Sequence, residues 1–260
     1  MRHKITISLI SFNQLHYLKR LLPSLLESIK DLDVRILLVA NRCRDGTISY
    51  LRKYYPDIDI FDNPERTGYG GNHNINLRRA NSDFFVIMNS DMIVKKDTFC
   101  NLLQFIEADA QVGLVGPRFL NEDGSLQPLN KRHPTVFDLM LLKFCPTRLR
   151  RFFKARLDAY EMLDTGYATT RTVPLMSGAF MFCREPLLKK IGGFDEGFFM
   201  YFEDLDLCRR IQQEGFETYF CPQAEVVHFW EMSAYKSWKY FAWCSQSAIK
   251  YFCKWGWRFW

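Results

Sequence analysis

Short apolar runs and helix-spaced segments alternate along the first 95 residues, and this alternation limits the possible folds more than any other feature of the chain. Ile5 to Ser11 is apolar and β-branched, and Leu15 to Ile29 follows with Leu18, Leu21, Leu22, Leu25, Leu26 and Ile29 at helical spacing. Val34 to Val39, Ile58 to Phe61 and Phe84 to Met88 read as further strands, with Thr47 to Tyr54 and Asn72 to Ala80 as helices between them. Strands that are apolar on both faces and separated by helices predict an α/β layer structure. Its central sheet is mostly parallel and covered on both sides, and ligands bind at the carboxyl ends of the strands.

Beyond residue 95, Thr98 to Ala108 reads as a helix, Val112 to Pro117 as a strand and Asn121 to Ser125 as a tight turn. Val173 to Cys183 is expected as a strand, Leu205 to Gln213 as a helix, and Thr218 to Phe220 and Val226 to His228 as short strands. Residues 130 to 170 carry no clear period. Their cations (Lys131, Arg132, Arg148, Arg150, Arg151, Lys154 and Arg156) fit a solvated face, or a mobile segment beside a substrate. No repeat or linker interrupts the chain, so we expect one domain over residues 1 to 230, with halves of about 1–95 and 96–230, and a tail over 231–260.

Composition excludes several classes. At 48% hydrophobic and 25% charged the chain is not intrinsically disordered. A net charge of +6 suits an anionic substrate or membrane surface and falls short of a nucleic-acid footprint. The eight cysteines include no C-x-x-C pair, which points away from a zinc knuckle or disulfide framework and towards a reducing cytoplasm. The apolar run after Lys4 reads as a strand, not a secretion signal, and no stretch is apolar for the length of a bilayer. Membrane contact is therefore expected to be peripheral.

Four constellations could carry chemistry. Asp91, in Asn89-Ser90-Asp91, follows an apolar strand, where a carboxylate can hold a divalent cation on a diphosphate or simply cap a turn. Glu203, Asp204 and Asp206 fall within four residues at a helix start among aromatics. Glu203 and Asp206 share one face and Asp204 points elsewhere, so one can enter a site as a general base while the others cap or pair with Arg209 or Arg210. His228, closing a short strand, is a packed core histidine or a second metal ligand. Gly68-Tyr-Gly-Gly-Asn72 matches a dinucleotide fingerprint poorly and fits better a loop whose backbone approaches a diphosphate.

Taken in order, these residues resemble a bacterial family 2 glycosyltransferase of the GT-A fold, closest to rhamnosyltransferase-like members that build surface polysaccharides. The resemblance covers about residues 5 to 230. It rests on Ile10-Ser-Phe-Asn13, Asn41 with Arg44-Asp-Gly-Thr47, and Asn63 with the Gly68 to Asn72 loop. Asn89-Ser-Asp91, Ser177-Gly-Ala-Phe180, Gly193-Phe-Asp-Glu-Gly-Phe-Phe199 and Glu203-Asp-Leu-Asp206 complete the series.

The family implies a GT-A, Rossmann-like sheet and inverting transfer from a nucleotide-diphosphate sugar, with Mg²⁺ or Mn²⁺ as cofactor. By this resemblance Asp204 is the general base, with Glu203 and Asp206 as alternatives, and Asp91 and His228 hold the metal. Ser11, Asn13, Asn41, Asp45, Gly70, Gly71, Asn72, Asn89 and Asp91 line the donor site, and Ser177, Gly178, Phe199 and Glu203 face the acceptor. The first candidate donor is dTDP-rhamnose. The expected acceptor is a lipid-linked saccharide in O-antigen or capsule assembly, met at the cytoplasmic face of the inner membrane. Two positions depart from the pattern. Ala40 stands where the family usually has an acid that accepts a hydrogen bond from the pyrimidine, so Asn41 or Asp45 must substitute or base recognition is loose. Asn89 stands where many relatives have Asp, and rhamnosyltransferase-like members often have Asn there too. A nonenzymatic relative acting as a binding subunit, and a nicotinamide-dependent oxidoreductase, are the competing readings.

The tail mixes Lys236, Lys239, Lys250, Lys254 and Arg258 with eleven aromatics and one acid, Glu231. That mixture suits an interfacial helix on anionic lipid. A helix packed on the domain is the alternative. The first predicts that deleting residues 235 to 260 releases a folded, donor-binding protein from liposomes.

Overall fold

A computed structural model describes residues 2–229 and 238–260. The first half runs β1 (His3–Ser11), α1 (Leu15–Ile29), β2 (Val34–Asn41), α2 (Thr47–Tyr54), β3 (Asp59–Asn63), α3 (Tyr69–Arg79) and β4 (Ser82–Met88). The second continues β5 (Met92–Val94), α4 (Thr98–Ala108), β6 (Val112–Leu120), β7 (Leu126–Gln127), α5 (Val136–Phe144), α6 (Thr147–Arg150) and α7 (Lys154–Tyr160). It closes with β8 (Arg171–Thr172), β9 (Phe180–Arg184), α8 (Glu185–Lys190), α9 (Glu203–Gln213), β10 (Glu217–His228) and α10 (Trp238–Trp255).

The strands form one sheet in the order β3-β2-β1-β4-β9-β6-β10-β5, with β7 on β6 and β8 on β10. The first four are parallel, β9 runs antiparallel to β4 and β6, and β6 and β10 are again parallel. The sheet is therefore mixed, and its parallel part lies mainly in the first half. β4 shows why the strands read as continuous apolar runs: Phe84, Val86 and Met88 face one core with α1 and α4, while Phe85 and Ile87 face the other with α3, α8 and α9. On α1, Leu18, Leu21, Leu22, Leu25 and Ile29 are the buried stripe that the periodicity marks.

Three expected boundaries are corrected. The strand over Val173 to Cys183 begins only at Phe180, because Pro174 has no N–H for a ladder and Gly178 donates its N–H to a side chain instead. The two short strands at 218–220 and 226–228 are one, β10, whose register on β6 shifts between Cys221 and Glu225, around Pro222. The helix expected from Asn72 starts at Tyr69, so the glycines lie in its first turn and not in an open loop.

The tail is not a free appendage over its described part. Tyr251 and Phe252 of α10 are buried with Phe198 and Phe202. Lys250 and Lys254 bond Asp195, at 2.8 and 3.1 Å, and so are not simply cations presented to a surface. Glu231, Tyr235 and Lys236 lie outside the described residues.

Candidate active site

β5 and β10 pair antiparallel with His228 opposite Met92, and the Phe229 N–H bonds the Asp91 carbonyl at 2.9 Å. Residues 137 positions apart are thereby joined: His228 Nε2 lies 3.4 Å from Asp91 Oδ1, both side chains nearly buried. Gln127, which the sequence did not single out, fixes the imidazole. Its Nε2 donates to the His228 carbonyl at 2.9 Å and to Asn121 Oδ1 at 2.7 Å. A carbonyl can only accept, so the amide orientation is set and Oε1 faces His228 Nδ1 at 2.9 Å. Nδ1 then donates, and the ring turns Nε2 towards the Asp91 carboxylate. Nε2, buried and lacking a hydrogen-bond partner among the described residues, and the Asp91 carboxylate beside it are a donor pair that fits a divalent cation. Among the described residues no group of three or more His, Cys, Asp or Glu is placed to hold a metal ion by itself. Two protein ligands suit Mg²⁺ or Mn²⁺, which complete their shells with water and phosphate oxygens.

Across the site, Tyr69 joins the metal motif to the acids. Its hydroxyl donates to the Gly178 carbonyl at 2.7 Å and lies 3.0 Å from Asn89 Oδ1. Burial, then the charges of Glu203, Asp204 and Asp91, push its pKa far up, so the phenol stays protonated within electrostatic reach of all three carboxylates. Tyr69 was visible in sequence only as a filler between glycines.

Asp204 is half-buried. Its Oδ2 accepts the Gly178 N–H and its Oδ1 the Leu205 N–H, both at 2.9 Å. Burial raises its pKa, and those two N–H groups limit the rise. Glu203 is buried with Oε2 unpartnered among the described residues; burial, then the neighbouring Asp204 charge, raise its pKa well above the usual range. Asp206 is fully buried, with Arg210 Nε at 2.7 Å, Lys254 Nζ at 2.7 Å and Trp255 Nε1 at 2.9 Å. It anchors α10 and is not available as a base. The helix begins after Tyr201 and Phe202, at φ of 70° and 66°, a left-handed pair that costs free energy and aims the acids.

On the donor edge, Asn41 Nδ2 donates to the Thr67 carbonyl at 3.2 Å, while its buried Oδ1 and the buried Ser11 Oγ have no partner among the described residues. Both sit at adjacent strand ends, Ser11 opposite Ala40. Asp45 is engaged otherwise: it accepts from Leu15 N–H at 2.8 Å and from the Thr47 hydroxyl at 2.6 Å. Burial alone would raise its pKa, but these bonds carry it below the ordinary value. Asn13, at φ 56°, accepts the Arg44 N–H at 2.6 Å and ties the two loops together.

Gly70, Gly71 and Asn72, expected as diphosphate contacts, are buried. A Cβ on Gly68 would lie 2.3 Å from the Phe199 carbonyl and one on Gly70 2.6 Å from the Phe194 side chain. The glycines therefore let α3 press against the 194–199 segment, and Asn72 locks the turn through the Thr67 and Gly68 carbonyls. Phe199 packs on Trp243 at 4.6 Å with Arg66 over both rings, forming the rim beside α10. Ser177 Oγ accepts the Ala179 N–H at 3.2 Å.

The model of the family described as glycosyltransferase like family 2 matches residues 3–244. The N-acetylglucosaminyl-diphospho-decaprenol L-rhamnosyltransferase of Mycobacterium tuberculosis is 25% identical over 245 residues, 88% of this chain and 76% of that protein. Rhamnosyltransferase WbbL of Escherichia coli K12 is 25% identical over 237 residues, covering 86% and 83%. Among solved structures, the Pyrobaculum calidifontis mannosyltransferase PcManGT in complex with GDP-Man and Mn²⁺ superposes with a TM-score of 0.66 at 20% identity. The match takes in 98% of this chain and 64% of that one. S. aureus TarS gives 0.59 at 18% identity, covering 87% and 60%. These structural likenesses establish the GT-A fold.

Proposed function

We propose a function from one premise: this chain belongs to glycosyltransferase family 2 and is rhamnosyltransferase-like within it. It moves a sugar, rhamnose from dTDP-rhamnose as the first candidate, from a nucleotide diphosphate to a lipid-linked saccharide, with inversion, in surface-polysaccharide assembly such as O-antigen or capsule. The observation that carries this reading is the convergence of the Asp91–His228 pair and the Glu203–Asp204 pair around Tyr69. The two relatives named for rhamnosyl transfer, one of them onto N-acetylglucosaminyl-diphospho-decaprenol, favour the donor and acceptor classes.

Asp204 takes the proton of the acceptor hydroxyl as that oxygen attacks the anomeric carbon on the face opposite the nucleotide, so one bond forms as the other breaks and the configuration inverts. The N–H groups of Gly178 and Leu205 orient its oxygens, and its raised pKa strengthens it as a base. A divalent cation at Asp91 and His228 would offset the charge gathering on the leaving diphosphate. Asn41 Oδ1 is the acceptor for the pyrimidine N–H in place of the usual acid, since Asp45 already serves the two loops. All eight cysteines are unpaired, which agrees with a cytoplasmic setting, and among the described residues no helix is long and apolar enough to cross a membrane. We place the protein peripherally on the cytoplasmic face of the inner membrane.

The test is Asp204→Asn assayed with dTDP-rhamnose and a polyprenyl-diphosphate saccharide. Turnover should fall by at least ~10²-fold with donor affinity retained. A variant keeping about a tenth of wild-type turnover refutes Asp204 as the base.

A further inference from the structure

The segment that carries no period in the sequence folds into a surface with two opposed faces. On α5, Val136 and Leu139 pack against the cluster of Phe198, Phe202, Tyr251 and Phe252 that supports the start of α9. Met140 and Phe144, one turn apart on the other side, are 53% and 63% exposed. Phe144 meets Phe241 of α10 at 6.0 Å, and Trp238, 80% exposed, stacks on Phe241 at 4.9 Å. Two elements thus contribute to one exposed apolar patch, an arrangement that marks an interaction site on a soluble surface.

The charge around that patch is mainly positive, with Lys154 paired to Asp158 and Arg156 to Asp138. Residues 139 to 157 contain six Lys and Arg and no Asp or Glu. Arg150 turns inward to the carbonyls of Leu142 and Cys145, while Arg148 and Arg151 remain exposed and Arg151 covers the ring of exposed Phe152 at 4.9 Å.

We propose that α5, the turn after it and the start of α10 form a surface that docks on an anionic lipid bilayer. Rings seated at the acyl boundary with guanidinium groups at the phosphates satisfy both halves of the patch at once. A symmetric pair of chains would set the same cations face to face, which disfavours a second copy as the occupant. The surface lies against the acceptor side of the site, because Cys244 of α10 packs in the same cluster and is within electrostatic reach of both Lys143 and Glu203. The proposal rests on the lipid-linked acceptor reading for its purpose and on geometry and charge for its position.

The test is sedimentation of full-length protein at low salt with vesicles of phosphatidylcholine alone or with ~30% phosphatidylglycerol. Wild type should sediment with the anionic vesicles. Met140→Glu combined with Phe144→Glu should weaken partitioning by about tenfold or more on both vesicles. Arg148→Glu with Arg151→Glu should weaken it on the anionic ones alone, and Tyr54→Glu, an exposed ring on α2, should change nothing. All these side chains are exposed, so unchanged circular dichroism is expected and verifies the fold. Wild type left in the supernatant, or a Met140/Phe144 variant that sediments like wild type, overturns the proposal. So does a dimer seen by light scattering that the same variant dissolves. Transfer to a water-soluble acceptor separates the two readings: transfer without vesicle binding sinks only the surface, and vesicle binding without transfer sinks only the enzyme.

Discussion

Gln127 decides which nitrogen of His228 is left for a ligand. Replacing it with Leu removes the acceptor at Nδ1, so the ring can adopt either tautomer and turn. Mn²⁺ affinity should then fall by roughly 10- to 100-fold, read by titration calorimetry or by the EPR signal of free Mn²⁺ in the absence of any acceptor. An unchanged affinity would return Gln127 to a purely structural role. Glu203 gives a second test at this scale. Burial and the adjacent Asp204 hold its pKa well above the unfolded value of about 4.3, so between those two pH values the folded chain binds more protons than the unfolded one. Its favourable contribution is complete below that lower value and is lost as pH rises through the folded pKa. Glu203→Gln should therefore match wild type in Tm near about pH 4 and exceed it near about pH 7. A difference independent of pH would show that the buried charge is not what destabilises the site.

At the scale of elements, α10 and α9 hold each other through Asp206, whose oxygens meet Arg210, Lys254 and Trp255. Asp206→Ala leaves those donors facing a void and should cost roughly 3–5 kcal/mol in urea unfolding, the range for breaking a buried pair on one side. Truncation after residue 237 should go further and unfold the acceptor half, since it removes Tyr251 and Phe252 from their cluster. A truncated chain that stays folded and binds donor would restore the tail as a separable anchor. The legible elements were those with one clear period: α1, α2 and α4 fall on the expected boundaries because their stripes face one core. α5 was not legible. Its start is a capping box between Thr135 and Asp138, a pattern present in the sequence, but the helix is apolar on two sides and has no single stripe to find. The acids at 203, 204 and 206 were recognisable as a cluster, yet their different roles depend on α10, which approaches from 49 residues away at Trp255. Likewise the motif glycines read as phosphate contacts because nothing local shows that Phe194 and Phe199 press on them.

For the whole molecule, the Asp91–His228 pair is placed by strand pairing, and the Ser11 and Asn41 oxygens that have no partner among the described residues lie at the ends of β1 and β2. A nucleotide diphosphate with its cation would therefore bridge elements from both halves of the sheet. A ligand that binds only the folded chain stabilises it by ~2.7 kcal/mol at a hundred times its Kd. For a chain of this length that corresponds to a rise in Tm of roughly 5–10 °C. dTDP with Mn²⁺ should produce that shift in wild type and in Asp204→Asn, because the proposed mechanism sets Asp204 against the acceptor and not the donor. Asp91→Ala should lose most of it, and chelator should abolish it in wild type. Asn41→Leu should weaken the shift with dTDP while leaving it intact with inorganic pyrophosphate, since only the former carries a base to recognise. Equal shifts with and without Mn²⁺ would mean that the diphosphate is held without the cation, and the Asp91–His228 pair would then need another explanation than donor binding.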